Sequence, residues 1–324
     1  MVMKFTRTFL LLTVLTCLYS YHANAQLSGT ITVPNATYAT LDSVVKALNL
    51  VGVGTGGVTI NLTAGNPQTA PAGGYQLGST VLNTSLAATK PLVINGNGNT
   101  VTANAGTGVA DGIFTIMGAD YVTINQLHLT EAAANTTTTT QMEWGYGMVK
   151  LNAAAPFDGC QYNTINGCNI TLNRTNANSP TSTSYGGSKG VMLANWVLAT
   201  PGTQLSITAA TDAHNNNTIK GCNIQNVNFG VFMWGYAAAS PYTLYDQNNT
   251  VGGYGATDGN TITNFGGAAY ESAGIYLYGY ESNALVRGNT INNILNSGVA
   301  GANVLDGIYR VLQQLPTLRY VRIM

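Results

Sequence analysis

The feature that most constrains this chain is a nine-residue segment that occurs twice, as NTINGCNIT at residues 163–171 and as NTIKGCNIQ at residues 217–225. A weaker copy aligns without a gap at residues 122–130, and the opening Asn-Thr-Ile returns at residues 260 and 289. Segments that recur at intervals of roughly 30 to 50 residues, with variable loops between them, are typical of solenoids, in which each repeat packs only against its neighbours.

A second series alternates with the first and consists of a glycine followed by a short apolar run. Its copies begin at Gly112, Gly147, Gly190, Gly230, Gly274 and Gly307. Two strand-like pieces in fixed order describe one coil of a solenoid. The repeats therefore predict an all-β fold, a single-stranded right-handed parallel β-helix solenoid of about 7 to 9 coils. Successive coils stack at about 4.8 Å, so equivalent residues lie over one another and side chains alternate between interior and surface.

The repeat NTIKGCNI then directs its isoleucines and its cysteine inward and leaves Asn and Gly for the bends, because both tolerate left-handed backbone geometry. Cys168 and Cys222 hold the same place in the two best repeats. An inward ladder of small apolar thiols is favoured over a disulfide bridge between them. Cys160 makes the count odd outside the first 25 residues, so at least one thiol stays free.

Residues 1–25 have the features of a secretory signal peptide, since Lys4 and Arg7 precede an apolar run and a small-residue Ala-Asn-Ala sequence ends the segment. Residues 26–57 are predicted to form an N-terminal cap segment. Within it, apolar residues at i, i+3, i+4 and i+7 from Leu41, behind Thr40 as N-cap, indicate an amphipathic capping helix. Residues 58–310 form the predicted parallel β-helix. The atypical tail at residues 311–324 is either a cap or the chance continuation of a truncated reading frame.

Composition supports this fold and excludes some partners. Charged residues make up 7 % of the chain, against roughly 25 % in ordinary globular proteins. Hydrophobic residues make up 45 %, which argues against disorder. Without Lys4 and Arg7, ten basic residues face twelve acidic ones, so no basic field for nucleic acid or anionic lipid is expected. No stretch is long and apolar enough for a transmembrane helix. We expect an exported monomer, secreted or held at the cell surface.

The segments YATLDSVVKALN at residues 38–49, GGVTINLTAG at 56–65 and KPLVINGNGNTVTA at 90–103, together with the two repeat series, carry a family resemblance. The chain resembles the exported right-handed parallel β-helix proteins of Bacteroidetes, which have PbH1 repeats and are similar to the wider pectin-lyase-like group. The resemblance covers about residues 27–309. It implies the fold, and it leaves the activity open.

A polysaccharide lyase on this fold needs carboxylates stacked on neighbouring coils to hold Ca²⁺ and a base to remove a proton. Asp158 and Asp212 each lie five residues before a repeat Asn, and Lys150, Arg174 or Lys189 could act as the base. The favoured interpretation is structural, because an Asp before a turn caps backbone amides. No metal-ligand spacing of histidines occurs. We therefore predict no cofactor, with Ca²⁺ required only by the lyase alternative.

The outward positions of the second series carry repeated aromatic residues. If Val231, Met233, Ile275 and Leu277 point inward, their neighbours point outward. The predicted ridge, a candidate surface for stacking on sugar rings, consists of Phe232, Trp234, Tyr236, Tyr276, Tyr278 and Tyr280. The alternative, which is favoured, is a structural use in which a loop covers the ridge or the rings only stabilise the sheet.

At residues 147–151 the same alignment would bury Lys150. We therefore expect this coil to be slipped by one residue, with Val149 and Leu151 inward. The leading functional hypothesis is a secreted or cell-surface structural or adhesive module that binds polysaccharide or a cell-surface glycan along its lateral face. The alternative is a polysaccharide lyase or hydrolase of the pectin-lyase-like type.

Overall fold

The computed structural model describes residues 25–108, 110–137, 139–173, 187–267, 271–293, 304–310 and 321–322. The predicted signal peptide lies outside these residues except for Ala25, as does most of the predicted tail. None of the helices in the described ranges is long and apolar enough to cross a membrane.

Three parallel sheets make up the molecule. Sheet A contains β1 (Leu27–Val33), β2 (Val53–Leu62), β5 (Leu92–Asn95), β8 (Val122–Asn125), β11 (Thr164–Asn166), β14 (Thr218–Lys220), β18 (Thr250–Gly252), β22 (Leu285–Arg287) and β25 (Val321–Arg322). Sheet B contains β3 (Gln68–Thr69), β6 (Thr100–Ala103), β9 (His128–Glu131), β12 (Asn169–Thr171), β15 (Asn223–Val227), β19 (Thr261–Phe265) and β23 (Thr290–Asn292). Sheet C contains β4 (Tyr75–Leu77), β7 (Gly112–Met117), β10 (Trp144–Val149), β13 (Lys189–Ala194), β16 (Phe229–Trp234), β20 (Glu271–Gly279) and β24 (Val304–Arg310). A small parallel pair is formed by β17 (Asp246–Gln247) and β21 (Glu281–Ser282).

The chain visits the sheets in the order A, B, C, and it completes this circuit seven times within the described residues. The strands of successive circuits pair in register. Ile165, for example, lies between Ile124 and Ile219 in sheet A. The predicted parallel β-helix is therefore confirmed, with a number of coils in the expected range.

The interior of the solenoid is one continuous apolar cluster built from the inward residues of all three sheets. Cys160, Cys168 and Cys222 belong to this cluster, and all three are free thiols. Cys168 and Cys222 occupy the same place in adjacent coils, because β12 and β15 pair in register immediately after them. The predicted inward thiol ladder is confirmed.

Helix α1 (Leu41–Val51) packs at the first coil, where it contacts β4 and the short helix α2 (Thr80–Ser85). Its buried face is the predicted one and consists of Leu41, Val44, Val45 and Leu48. Thr40 is the N-cap, since its hydroxyl accepts a hydrogen bond from the Ser43 amide at 3.3 Å. Strand β1 was not predicted. It pairs with β2 and so places a strand of sheet A before the helix in the chain.

The bend between sheets C and A uses left-handed backbone at one repeated position. The residues at this position have φ between 54° and 59° and are Tyr121, Tyr162, Asn216, Asn248 and Asn283. The next position in three successive coils is a fully buried asparagine. These three side chains, Asn163, Asn217 and Asn249, bond to the backbone of neighbouring coils. The asparagines of the repeat thus hold the bend, as the sequence predicted.

Candidate functional site

The outer face of sheet C carries the aromatic residues singled out in the sequence. Val231 and Met233 lie in the interior cluster, and Phe232 between them lies in a separate cluster on the other side of the sheet. Ile275, Tyr276 and Leu277 repeat this arrangement one coil later. The predicted inward and outward directions are therefore confirmed for both strands.

The expected exposure of this ridge is wrong. Phe232 and Tyr276 are fully buried, and Trp234 is only 6 % exposed. Tyr236, Tyr278 and Tyr280 are partly buried. The first three residues belong to a closed apolar cluster, here called the sheet C cluster, which also contains Trp144, Val149, Met192, Ala194, Trp196, Phe229 and Ala273. Outward residues become inaccessible here because the sheet has a second apolar layer on its outer side, a possibility that alternation along a strand does not reveal.

Ring stacking gives the sheet C cluster its order. Phe232 and Tyr276 stack with ring centroids 5.4 Å apart and planes 3° from parallel. Tyr276 and Tyr309 continue the stack at 4.8 Å. Lys189 lies within this layer, with its Nζ donating to the Gly187 carbonyl at 2.7 Å and 5.5 Å from the Phe232 ring centroid. Burial lowers the pKa of Lys189 to about 8. The layer therefore serves as a second core.

Asp158 and Asp212 lie on adjacent bends, as their spacing predicted, but they have structural partners. Asp212 is fully buried and accepts hydrogen bonds from four backbone amides, those of Phe157, Asp158, Thr208 and Ala209. Asp158 accepts a hydrogen bond from the Asn83 side chain at 2.7 Å. The contacts of Asp212 are those expected of a carboxylate that caps backbone amides.

The predicted register slip around Lys150 is wrong. Met148 pairs with Ile116 on one side and with Leu193 on the other, so β10 keeps the common register. Met148 is inward, Val149 belongs to the sheet C cluster, and Lys150 continues the inward series with 1 % exposure. The prediction failed because it treated an inward lysine as prohibitive, whereas acidic side chains from distant coils lie around this one.

These acidic side chains belong to a column of residues at equivalent positions in successive coils, three residues before the buried asparagine. The column runs Cys160, His214, Asp246, Glu281 and changes from apolar to polar along the axis. The Cys160 amide donates to His214 Nδ1 at 3.0 Å, and the His214 amide donates to Asp246 Oδ1 at 2.8 Å. Asp246 and Glu281 are paired across β17 and β21.

Burial shifts every titratable group of this interior site towards its neutral form. It lowers the pKa of Lys150 and lowers that of His214 well below its ordinary value. It raises the pKa of Asp246 to about 6 and that of Glu281 well above the usual range. One buried atom on each of three side chains has no hydrogen-bond partner: Lys150 Nζ, Asp246 Oδ2 and Glu281 Oε1. The only ion pairs within 4.0 Å among the described residues lie elsewhere.

The outer face of sheet A differs from that of sheet C in chemistry and in accessibility. Its first four coils present Thr, Val and Asn side chains, all partly exposed and none charged. Asn95 donates to Asn61 Oδ1 at 2.8 Å, Asn125 donates to Asn95 Oδ1 at 3.0 Å, and Asn166 donates to Asn125 Oδ1 at 3.0 Å. This amide ladder was not predicted as a surface, although the in-register Asn of the repeats was its signal.

A stacked tyrosine pair lies at the edge of the sheet A face, immediately before β8 and β11. The rings of Tyr121 and Tyr162 have centroids 4.9 Å apart and planes 1° from parallel. Tyr162 is 47 % exposed. Beside the pair, Asp120 accepts a hydrogen bond from the Gln161 amide at 2.7 Å, and burial raises its pKa to about 7, with a contribution from nearby Asp158. Sequence reasoning missed this pair because neither tyrosine belongs to an obvious aromatic motif.

Comparisons with known proteins give no identity. No protein family matches the chain, and no characterised protein matches it. In the described part of the chain, no group of three or more His, Cys, Asp or Glu side chains could hold a metal ion. The molecule is a parallel β-solenoid with aromatic clusters. The narrower resemblance to exported pectin-lyase-like proteins stays a prediction.

Proposed function

We propose that this protein is an exported structural or adhesive β-helix module that binds neutral polysaccharide on the outer face of sheet A. The observation that carries the proposal is the exposed, parallel Tyr121–Tyr162 pair beside an uncharged amide ladder. Aromatic rings stack on the apolar faces of sugars. Side-chain amides and hydroxyls both donate and accept hydrogen bonds, as sugar hydroxyls do.

The backbone at the tyrosines supports a use beyond the bend itself. Tyr121 and Tyr162 have φ of 54° and 56°, a region that disfavours bulky side chains and tolerates asparagine. Later coils place Asn216 and Asn248 at the same position. Two consecutive tyrosines therefore occupy a position where asparagine is the less strained residue. Binding through their rings supplies a reason for this choice.

Charge defines the class of polysaccharide. Asp120 and Asp158 lie close to the tyrosine pair, and the first four coils of the sheet A face carry no cation. A polymer of uronic acids would meet like charge here, whereas a neutral polymer would find hydrogen-bonding groups.

The alternative of a lyase or hydrolase lacks support from the candidate catalytic residues. Lys150 and Asp212 are each 1 % exposed. Lys150 lies in the solenoid interior, and Asp212 is held by backbone amides. A polymer cannot reach either side chain from the surface. The aromatic ridge that first indicated glycan binding is also largely closed, so the proposal moves the contact to sheet A.

The proposal is tested by retention on insoluble polysaccharides, with cellulose, chitin and xylan as neutral probes and pectate as the anionic probe. The double variant Tyr121→Asn, Tyr162→Asn places the residue of later coils at both positions and should keep the fold. A matched control is Tyr254→Asn, which changes a 70 % exposed tyrosine elsewhere on the surface.

We expect the wild type and the control to be retained on at least one neutral probe, and the double variant to lose at least tenfold in affinity. Equal retention of the double variant and the wild type would overturn the proposed site. Retention of the wild type on none of the neutral probes would overturn the proposed function.

A further inference from the structure

Three side chains inside the solenoid have complementary chemistry and unused atoms. Lys150 supplies an amine, and Asp246 and Glu281 supply carboxyl groups. Each is at least 94 % buried, and each has one polar atom without a hydrogen-bond partner. Buried polar atoms are nearly always paired, so three orphans on interacting residues require an explanation.

The register brings these side chains into one space. Lys150, Asn195 and Gly235 occupy equivalent positions on successive coils, because β10, β13 and β16 pair in register just before them. Gly235 leaves room beside the acid, since a Cβ at this position would lie 3.2 Å from Asp246 Cγ. The lysine can therefore extend along the axis towards Asp246, whose neighbour across the strand pair is Glu281.

Among the acids around Lys150, Asp246 is the one available for reaction. It contributes the largest electrostatic interaction with the lysine. Asp212 also interacts with Lys150, but both of its oxygens accept backbone hydrogen bonds. Asp246 uses only Oδ1, for the His214 amide, and its Oδ2 is free.

We propose that Lys150 and Asp246 form an intramolecular amide bond, an isopeptide cross-link, and that the Glu281 carboxyl transfers protons in the reaction. The neutral Nζ attacks Cγ of the Asp246 carboxylic acid, and a C–N bond forms. Glu281 accepts a proton from the nitrogen and donates one to the leaving hydroxyl group, so the C–O bond breaks and one water departs. Glu281 returns to its starting state, and no oxidant or other co-reactant is needed.

The surroundings favour this chemistry over an ion pair. Burial disfavours both charged partners, so a neutral amine and a neutral acid are the forms stabilised in the interior. A nucleophilic lysine requires the neutral amine. In the structure, Lys150 and Asp246 do not form an ion pair within 4.0 Å, although they interact electrostatically. The cross-link would join bends two coils apart.

The intact mass of the purified protein tests the proposal, with the N-terminus assigned by peptide mapping. The expected mass is lower than the sequence mass by one water. A tryptic digest should contain one branched peptide that joins the segments around Lys150 and Asp246. The variants Lys150→Arg and Glu281→Gln should restore the full mass. Lys189→Arg, which changes the other fully buried lysine, should keep the deficit.

A wild-type protein of full sequence mass would overturn the proposal, and this result does not depend on whether the variants fold. Persistence of the deficit in Lys150→Arg would also overturn it. A deficit that persists only in Glu281→Gln would overturn the role of Glu281, because the amine and the acid would then react without it.

Discussion

The outer faces of sheets A and C are built on the same pleat and alternation, yet they have opposite fates. Sheet C directs Phe232 and Tyr276 outward, and these rings are sealed in a second apolar layer. Sheet A directs Thr164 and Asn166 outward, and these side chains stay in contact with solvent. The comparison shows that an outward position in a solenoid is not by itself a surface position. Side-chain chemistry determines whether a face gains a further layer.

The largest expected effect separates the two faces by stability. Phe232→Ala should lower the free energy of unfolding by about 3 to 5 kcal/mol, because it removes a fully buried ring and leaves a cavity. Thr164→Ala, the matched outward change on sheet A, should cost less than about 0.5 kcal/mol. Chemical denaturation of both variants measures the difference. Similar small costs for the two would contradict a closed face on sheet C.

A smaller effect compares the asparagines of the bend with those of the sheet A ladder. Asn217→Ala should cost about 2 to 3 kcal/mol, because it leaves the buried Asn163 amide and the Cys160 carbonyl without partners. Asn125→Ala breaks two side-chain hydrogen bonds at a partly exposed position and should cost about 1 kcal/mol. Thermal unfolding of both variants tests this order, and a reversed order would show that the bend does not depend on its buried amides.

The smallest effect depends on pH and concerns the edge of the sheet A face. The pKa of Asp120 is raised from 3.8 to about 7. The folded state therefore binds the proton more tightly than the unfolded state, and this contribution to stability is lost as pH rises from about 4 to 7. Asp120→Asn keeps an acceptor for the Gln161 amide and removes the titration. The variant should gain about 1 to 2 kcal/mol relative to wild type over this range.

Urea denaturation of both proteins at several pH values measures the Asp120 contribution. A difference between wild type and Asp120→Asn that stays constant between pH 4 and pH 7 would show that Asp120 titrates normally.

Local patterns predicted the elements that local chemistry determines. The in-register Asn-Thr-Ile copies predicted stacked coils. The spacing of apolar residues behind Thr40 predicted α1 and its buried face. The equivalent places of Cys168 and Cys222 predicted the thiol ladder. In each case, neighbouring residues or neighbouring repeats carry the information.

The features that sequence reasoning missed depend on contacts between distant coils. Lys150 can be buried because Asp246 and Glu281 share its environment, and no spacing within one repeat shows this. The closure of Phe232 and Tyr276 depends on a layer outside their strands. The Tyr121–Tyr162 pair becomes recognisable only when its left-handed position is aligned with Asn216 and Asn248.

The central claim, that the sheet C face is closed and the sheet A face is the contact surface, has a direct spectroscopic test. All three tryptophans of the chain, Trp144, Trp196 and Trp234, belong to the sheet C cluster. Their emission should therefore be blue-shifted, weakly quenched by acrylamide, and unchanged by a soluble fragment of the polysaccharide that retains the protein. Strong quenching by acrylamide, together with a shift in tryptophan emission on adding that fragment, would contradict the account.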